Sequence, residues 1–580
     1  MDHDFDVCVI GSGAGGGPVA LRLAQAGKRV LVLEKGPWFT EKDFFKDELA
    51  CCRRSVYTPK LADEQHVIED RDRDGDWVGV PTSESGWDFW NGNCVGGSSN
   101  FMSGFFHRLK PVDFRQLSEF GPIDGANLVD WPIDYAELEP YYAMVEREVG
   151  ISGRVVDHPH AEPRSTADFP YPPTAEHAFA ARIDRACGEL GLKPFPVPRA
   201  ILSQPKDGRR SCEYSGFCGS YGCSSGAKGS SRAALLDRAV ATGHCEIRAN
   251  AKVTRLASDA SGKIVAVEYV DAAGLRQRVD AAVYVVACQA IESSRLLLAS
   301  TGPQHPDGLG NRYRQLGRNL LFAGGSEGIG SFYYADLDAE TAAALRQRGP
   351  FVNRALQEWY TFEDPAFGGR AKGGTIDFLF SHPNAIGRAA NQIWDNNDEY
   401  LVWGEPLQQR LHRVFAEKQY LRFEAFADWL PNDDCFVSLD PSVQDRWGSA
   451  VARVRVGYHP HGLKVGRFLA DQGERVLKQL GARDISTFVT GDPPQNLAAG
   501  GCRFGDDPKT SVLDRDCRVH DVENLYVSDG SFMPTGGSVP PTFTIYANAF
   551  RVAERIRGTK PGLRNAGSGL RAADYAPSSA

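Results

Sequence analysis

The stretch that most constrains this chain is its beginning. Asp6-Val7-Cys8-Val9-Ile10 runs into Gly11, Gly13 and Gly16, the spacing G-x-G-x-x-G, and is followed by a helical run from Pro18 to Gln25 and a second strand from Lys28 to Leu33. Each glycine has a mechanical job: Gly11 permits a tight turn, Gly13 lets the backbone approach a pyrophosphate, and Gly16 lets the helix pack closely on the strand. The anion would sit at the helix N-terminus, where free N–H groups and the dipole favour it. Glu34 ends the second strand and can accept hydrogen bonds from an unphosphorylated ribose diol. Strand, glycine turn, helix and acid together predict a dinucleotide-binding fold. The motif alone does not choose between FAD and NAD.

At 580 residues the chain exceeds a single simple core, so at least two domains are expected, interleaved in sequence. A net charge of −9 argues against nucleic acid as a partner, because no basic surplus exists to neutralise phosphates. No apolar run approaches the roughly 20 residues a membrane span needs. The first strand begins so close to Met1 that no signal peptide fits before it, and most of the thirteen cysteines are scattered singly, so a cytoplasmic location is expected. Export alongside a signal-bearing partner stays compatible with this.

Along the chain, residues 40 to 90 are polar and irregular, with the mixed-charge run Glu69 to Asp74 read as a solvated loop or, alternatively, a lid. Asn91 to Asn100 is a second glycine-rich turn, whose small residues suit a backbone lying flat against a planar ligand. Helices are expected over Tyr135 to Val149, entered through Asp134, and over Glu176 to Leu190. Strands Cys245 to Val253, Ile264 to Tyr269 and Val283 to Val286 read as a meander leading into a helix at Ala290 to Leu297. Between about 325 and 490 aromatic, broken strands surround an amphipathic helix, Lys464 to Leu480, which predicts an antiparallel sheet with flanking helices. Gly562 to Ala580 has the composition of a disordered tail.

Three separated segments resemble the glucose–methanol–choline (GMC) family of FAD-dependent oxidoreductases. They are the N-terminal motif with Glu34; Val95-Gly96-Gly97-Ser98-Ser99 continuing through Arg108 and Pro111-Val112-Asp113-Phe114; and Gly500 to Gly505 with Ser511 to Asp514, Asn524 to Ser531 and Pro541 to Ile545. Lys193 to Pro198, Cys212, Cys218, Cys223, Gly226 to Gly229 and Gly505 to Pro508 are similar to the flavin dehydrogenases of aminoglycoside biosynthesis, the paromamine-oxidising kind. The resemblance implies an α/β protein: a Rossmann-like FAD-binding domain with an inserted substrate domain of antiparallel sheet plus helices. The expected division is FAD-binding at 1–160, 230–325 and 495–560, a cap and cysteine loop at 161–229, a substrate domain at 326–494 and a tail at 561–580. It also implies FAD, oxidation of a CH–OH group of a sugar, glycoside or polyol, and an electron acceptor that is either O₂ or a carrier protein. The residues it places at the cofactor are Gly11, Gly13, Ala14, Gly16, Glu34, Lys35, Gly96, Gly97, Ser98, Asn100, Val253, Asp529, Gly530, Pro541 and Thr542, with Asp529-Gly530 opening a helix against the flavin.

The chain departs from the family where a base is needed to take the hydroxyl proton. The family's usual His, three residues before Gly500, is Leu497 here, and its second His or Asn, just before Pro541, is Pro540. Neither side chain accepts a proton. A positioned base is worth about 10²–10⁴ in rate, so losing both groups is not neutral. The base then comes from elsewhere, with His459, His461 and, by a one-residue slip, Asn496 as weak candidates. Alternatively the flavin serves a non-alcohol reaction (photodecarboxylase-like, elimination or redox-neutral), or the protein binds flavin without turnover. Cys212, Cys218 and Cys223, spaced C-x₅-C-x₄-C, are either packed thiols, a local disulfide or ligands of an iron–sulfur cluster. No other metal site has obvious ligand spacing.

Overall fold

A computed structural model describes residues 3–44, 48, 64–86, 89, 91–380, 384–394, 400–489 and 497–558. The expected tail at 561–580 and the candidate Asn496 lie outside them. Strand β1 (Phe5–Ile10) passes through the glycine turn into helix α1 (Gly16–Gln25) and returns as β2 (Val30–Leu33), parallel to β1 with Val7 opposite Val30 and Ile10 opposite Leu33. Gly11 stands at φ +97, and a Cβ there would lie 2.3 Å from the Ala287 carbonyl oxygen; a Cβ on Gly16 would lie 2.0 Å from the oxygen of Gly11. No side chain of any size fits either position.

The sheet is completed by strands from remote parts of the chain, in the order Leu525–Val527, Ala281–Val286, β1, β2, Cys245–Arg248, all parallel. Both faces are covered, which is why β2 reads Val-Leu-Val-Leu with every residue buried. Helix α1 and the C-terminal helix Thr542–Arg557 pack together over it. The expected meander is corrected here. Asn250, at φ 54, breaks the run 245–253 in two as its N–H donates to Gly36 O. Cys245–Arg248 and Ala281–Val286 join the parallel sheet, while Lys252–Ser258, Ile264–Val270 and Arg276–Val279 form a separate three-stranded antiparallel one.

The second large sheet runs Arg354–Leu356, Gly374–Phe380, Lys418–Ala427, Gly324–Tyr333, Arg483–Val489, antiparallel throughout. Its outer face carries Leu421, Phe423 and Ala425, buried against Val465, Leu469, Val476 and Leu477 of the helix Pro460–Gln479. A Cβ on Gly473 would sit 2.5 Å from the Phe423 ring, so the helix lies close against the sheet. The inner face turns toward the parallel-sheet unit.

Two further expectations change. The mixed-charge run is neither a loop throughout nor a lid: Val67–Arg71 and Trp77–Pro81 form a hairpin, and Val67–Arg71 pairs in parallel with Ala450–Arg455. Glu69 within it is buried and accepts from both Arg453 and Arg455, so strand pairing and ion pairing together fix the segment. The helix begun at Tyr135, capped by Asp134 Oδ1 accepting from Glu137 N at 2.8 Å, stops as an α-helix at Val145 and continues as a π turn from Glu146 to Gly150. That turn sets Glu146, with Glu139, on the buried Arg108 guanidinium.

Candidate active site

A cavity of about 1100 Å³ lies between the parallel-sheet unit and the inner face of the antiparallel sheet. That exceeds the usual single-ligand cleft and leaves room for a dinucleotide with a second, smaller molecule beside it. At one end Gly11, Gly13, Ala14, Glu34 and Lys35 line it, as does Val253. Gly97, Ser98, Asp529, Gly530, Pro541 and Thr542 line it as well.

The glycine end fits FAD. A Cβ on Gly13 would meet only the Gly97 Cα, at 4.0 Å, so the backbone here borders open space that any side chain would fill. Helix α1, with Gly15 as its N-cap, has no side-chain cap and no acid in its first turn, so its dipole favours an anion at the glycine turn, although the Gly16 and Gly17 N–H groups are taken by Gly13 O. Glu34 is buried and accepts from Ser12 N at 3.1 Å, Ser12 Oγ at 2.6 Å and Gly36 N at 3.0 Å. Burial pushes its carboxyl above the ordinary range while the Ser12 hydroxyl opposes this. It is held where a ribose diol would find an acceptor. Lys35 donates to Glu64 Oε2 at 2.7 Å. Beneath it Glu292 pairs with Lys252 at 3.0 Å and His66 at 2.8 Å; burial works against ionisation, but Lys252 and Arg295 hold its carboxyl well below the usual range.

Gly16, Gly96 and Asn100 stand one layer behind the cavity wall. Gly96, at φ +96, donates from its N–H to Ser12 Oγ at 2.9 Å, and Asn100 Nδ2 donates to Val95 O at 2.9 Å, so both hold the second glycine turn in shape. Asp529 does not open a long helix. It caps the three-residue 3₁₀ turn Gly530–Phe532, and the helix proper begins at Thr542. Its carboxylate accepts from Gln289 N at 3.0 Å, from the Ser293 hydroxyl and from Ser531 N at 2.9 Å, and burial raises it above the ordinary range. Gln289, at φ 79, and Ser293 carried no signal in the sequence, because their job is to aim a side chain 240 residues away.

Leu497 and Pro540 both line the cavity, Leu497 at φ 61. His459 and His461 do not. His459 Nδ1 accepts from His461 N at 3.2 Å as the cap of Pro460–Gln479, its Nε2 is 2.7 Å from Asp124 O, and His461 packs edge-on to Phe367. Both are fold residues at a helix start. The opposite wall of the cavity is the inner face of the antiparallel sheet, with Arg422, Glu424 and Phe426, and Arg388 beside it.

The cysteine loop touches the cavity through Gly219 and Ser220. Lys228 ties it to the second glycine turn, donating from Nζ to Asn100 O at 3.2 Å, Cys218 O at 2.8 Å and Tyr221 O at 2.7 Å. Burial pushes the Cys212 thiol up to about 12; at Cys223 burial acts the same way, but the Lys228 ammonium together with hydrogen bonds from the Ser225 hydroxyl and backbone N–H groups lowers it. Among the described residues the cysteines are free thiols, and no three His, Cys, Asp or Glu side chains converge to hold a metal ion. The expected disulfide and iron–sulfur readings of this loop draw no support from that arrangement. Among the described residues no helix is long and apolar enough to cross a membrane.

Comparison with known proteins agrees with this geometry. Residues 82–322 and 431–549 match the two GMC oxidoreductase family models, and residues 6–42 match an FAD binding domain. The chain is 33% identical to 6'''-hydroxyparomomycin C oxidase of Streptomyces lividus and 32% identical to paromamine 6'-oxidase of Streptomyces fradiae, in each case over 96% of this chain and 92% of the relative. It is 31% identical to 2-methyl-1,2-propanediol dehydrogenase of Mycolicibacterium austroafricanum, over 95% of each chain. Among solved structures, pyridoxine 4-oxidase from Mesorbium loti (17% identity, TM-score 0.60, 96% of this chain and 100% of that one) shares the fold. So does a formate oxidase from Aspergillus oryzae (16% identity, TM-score 0.61, 96% and 98%). A glycine cradle, a buried acid at the end of β2 and full-length likeness to alcohol-oxidising enzymes converge: the chain belongs to the GMC oxidoreductases, FAD-dependent enzymes acting on CH–OH groups.

Proposed function

We propose that this enzyme oxidises a hydroxymethyl or secondary hydroxyl group of a sugar, glycoside or polyol. The observation that carries the reading is the polar wall facing the glycine cradle, where Arg422, Glu424 and Arg388 project from or beside one sheet face. Such a wall suits a substrate with several hydroxyl or amino groups and disfavours a long-chain alcohol, whose apolar body would strand those charges. The names of the two aminoglycoside-oxidising relatives support the same class. The light-driven, redox-neutral and non-catalytic alternatives gain nothing from the relatives reported above.

Gly11, Gly13 and the α1 N-terminus would hold the pyrophosphate of FAD, Glu34 its ribose and Asp529 and Gly530 the part nearer the flavin, and FAD so bound would supply a two-electron acceptor for hydride. The chain's own residues position the substrate, exclude water and receive the hydroxyl proton. We assign the FAD-binding part to 1–160, 230–325 and 495–560 and the substrate part to 326–494. A cytoplasmic location accords with the free thiols.

The test is anaerobic mixing of the purified yellow protein with sugars, amino sugars, diols and long-chain alcohols, in the dark and under blue light, while flavin absorbance is followed. Bleaching in the dark by a polyhydroxylated substrate is expected. Reaction only under light, or only with long-chain alcohols, refutes the reading.

A further inference from the structure

The strand Lys418–Ala427 alternates cleanly: Leu421, Phe423 and Ala425 face the covering helix, and Arg422, Glu424 and Phe426 face the cavity. Its register sets Glu424 directly opposite Glu327 on one neighbouring strand and Asp377 on the other. Three carboxylates therefore stand in one row on one face. The outer two have partners, Glu327 taking Arg422 Nη2 at 2.5 Å and Asp377 Oδ1 lying 3.0 Å from His107 Nε2. The Glu424 carboxylate takes no hydrogen bond from any described residue, and Glu424 borders the cavity that Leu497 and Pro540 also line.

We propose that Glu424 is the catalytic base of the oxidation, its carboxylate taking the substrate's hydroxyl proton in place of the group missing at Leu497 and Pro540. This rests on the alcohol-oxidising reading above. Two hydrogens leave the alcohol as C–OH becomes C=O: the hydride from carbon, which bound FAD is there to accept, and the proton from oxygen, which forms the new O–H bond on Glu424. Glu424 then returns that proton to cavity water.

The surroundings suit the role. Burial first, then the Glu327 charge, push the Glu424 carboxyl up to about 7; Arg422 pulls it down, Asp377 pushes it up and Arg199 pulls weakly. Arg388 is a further charged group lining the cavity, and His107 faces Asp377 from behind. A base with its proton affinity near working pH gives the best product of availability and driving force. An ordinary surface glutamate would be too weak.

The experiment compares Glu424→Gln and Glu424→Asp with the wild-type holoenzyme. The Gln variant should keep its flavin and melting temperature and its KM, and lose about 10²–10⁴-fold in kcat. The pH-dependent limb of kcat/KM near 7 should vanish with it, and Asp should recover part of the rate. Independently of turnover, the infrared band of the protonated Glu424 carboxyl should titrate near pH 7 in the wild type, with or without flavin, and be absent from the Gln variant. Full kcat in the Gln variant, or a carboxyl titrating in the ordinary range, overturns the proposal alone. A rise in KM confined to amino-group substrates with kcat unchanged also overturns it, since the carboxylate would then be an ammonium anchor. A wild-type protein inert to every hydroxyl substrate overturns the functional reading, and the proposal with it.

Discussion

Removing the Lys372 ammonium should expose how much of the active-site wall hangs on one buried cation. Its Nζ donates to Asp428 Oδ2, to Asp113 Oδ1 at 2.7 Å and to Ser538 Oγ at 2.9 Å, and all four side chains are buried. The three partners come from the segment after the second glycine turn, from just past the central strand Lys418–Ala427 of the five-stranded antiparallel sheet and from the loop leading to Pro540. Lys372→Met leaves two carboxylates facing each other with the cation gone. Asp113 keeps Tyr360 OH at 2.6 Å and Lys110 N at 2.6 Å, but Asp428 keeps only Gln116 Nε2, at 3.2 Å, among side-chain donors. Orphaning a buried charge typically costs about 3–5 kcal/mol. At 1.4 kcal/mol per decade, that is roughly 100- to several-thousand-fold in the folding equilibrium.

The sign with pH follows from Asp428. Burial already raises its carboxyl above the ordinary range although Lys372 opposes this, so without the lysine it rises further. An acid with a raised folded-state affinity for protons is least destabilising below its unfolded-state value, and its penalty grows as pH rises through the folded value. Urea and thermal unfolding of Lys372→Met should therefore show a large deficit at pH 8 that narrows toward pH 5. Lys372→Met with Asp428→Asn restores the net charge of the group, two acids and one base becoming one acid alone, and should recover most of the loss. Hydrogen exchange should localise the loosening to the Ser538 loop. A single variant within about 1 kcal/mol of wild type at pH 8, below what any orphaned buried charge costs, refutes the reasoning; so does a double variant worse than the single.

Glu34→Gln keeps the shape but gives up a charged acceptor, and should weaken FAD binding about 10- to 100-fold, read by flavin fluorescence on dilution. Gly16→Ala should abolish flavin retention, because its methyl would fall 2.0 Å from Gly11 O; Gly188→Ala, with nothing within 4 Å of the added carbon, should leave the flavin in place. Alkylation at pH 8 should modify Cys223 before Cys212, since Lys228 lowers one thiol and burial raises the other, and Lys228→Met should erase the difference, as mapped by mass spectrometry.

The amino-acid sequence by itself determined the glycine turn, the helix after it and the acid at the end of β2, because those depend on sterics within a few dozen residues. Gly16 has no room for a Cβ against the Gly11 carbonyl, a local fact written into the chain, whereas Gly11 is closed off by Ala287, which the parallel sheet brings in. An antiparallel sheet with an amphipathic helix was equally legible between about 325 and 490, and the apolar residues at 497 and 540 were visible as a departure. Tertiary structure alone decided which side chains of that sheet face the cavity. Arg422 and Glu424 gave no signal of their own, and only pairing with Gly324–Tyr333 and Gly374–Phe380 puts them against the cavity between two more acids. His459 looked like chemistry and is a helix cap. Asp529 looked like a helix start and is a carboxylate held from Gln289 and Ser293. Strand register, and the burial that shifts a carboxyl's proton affinity, belong to contacts hundreds of residues apart, which no local pattern encodes.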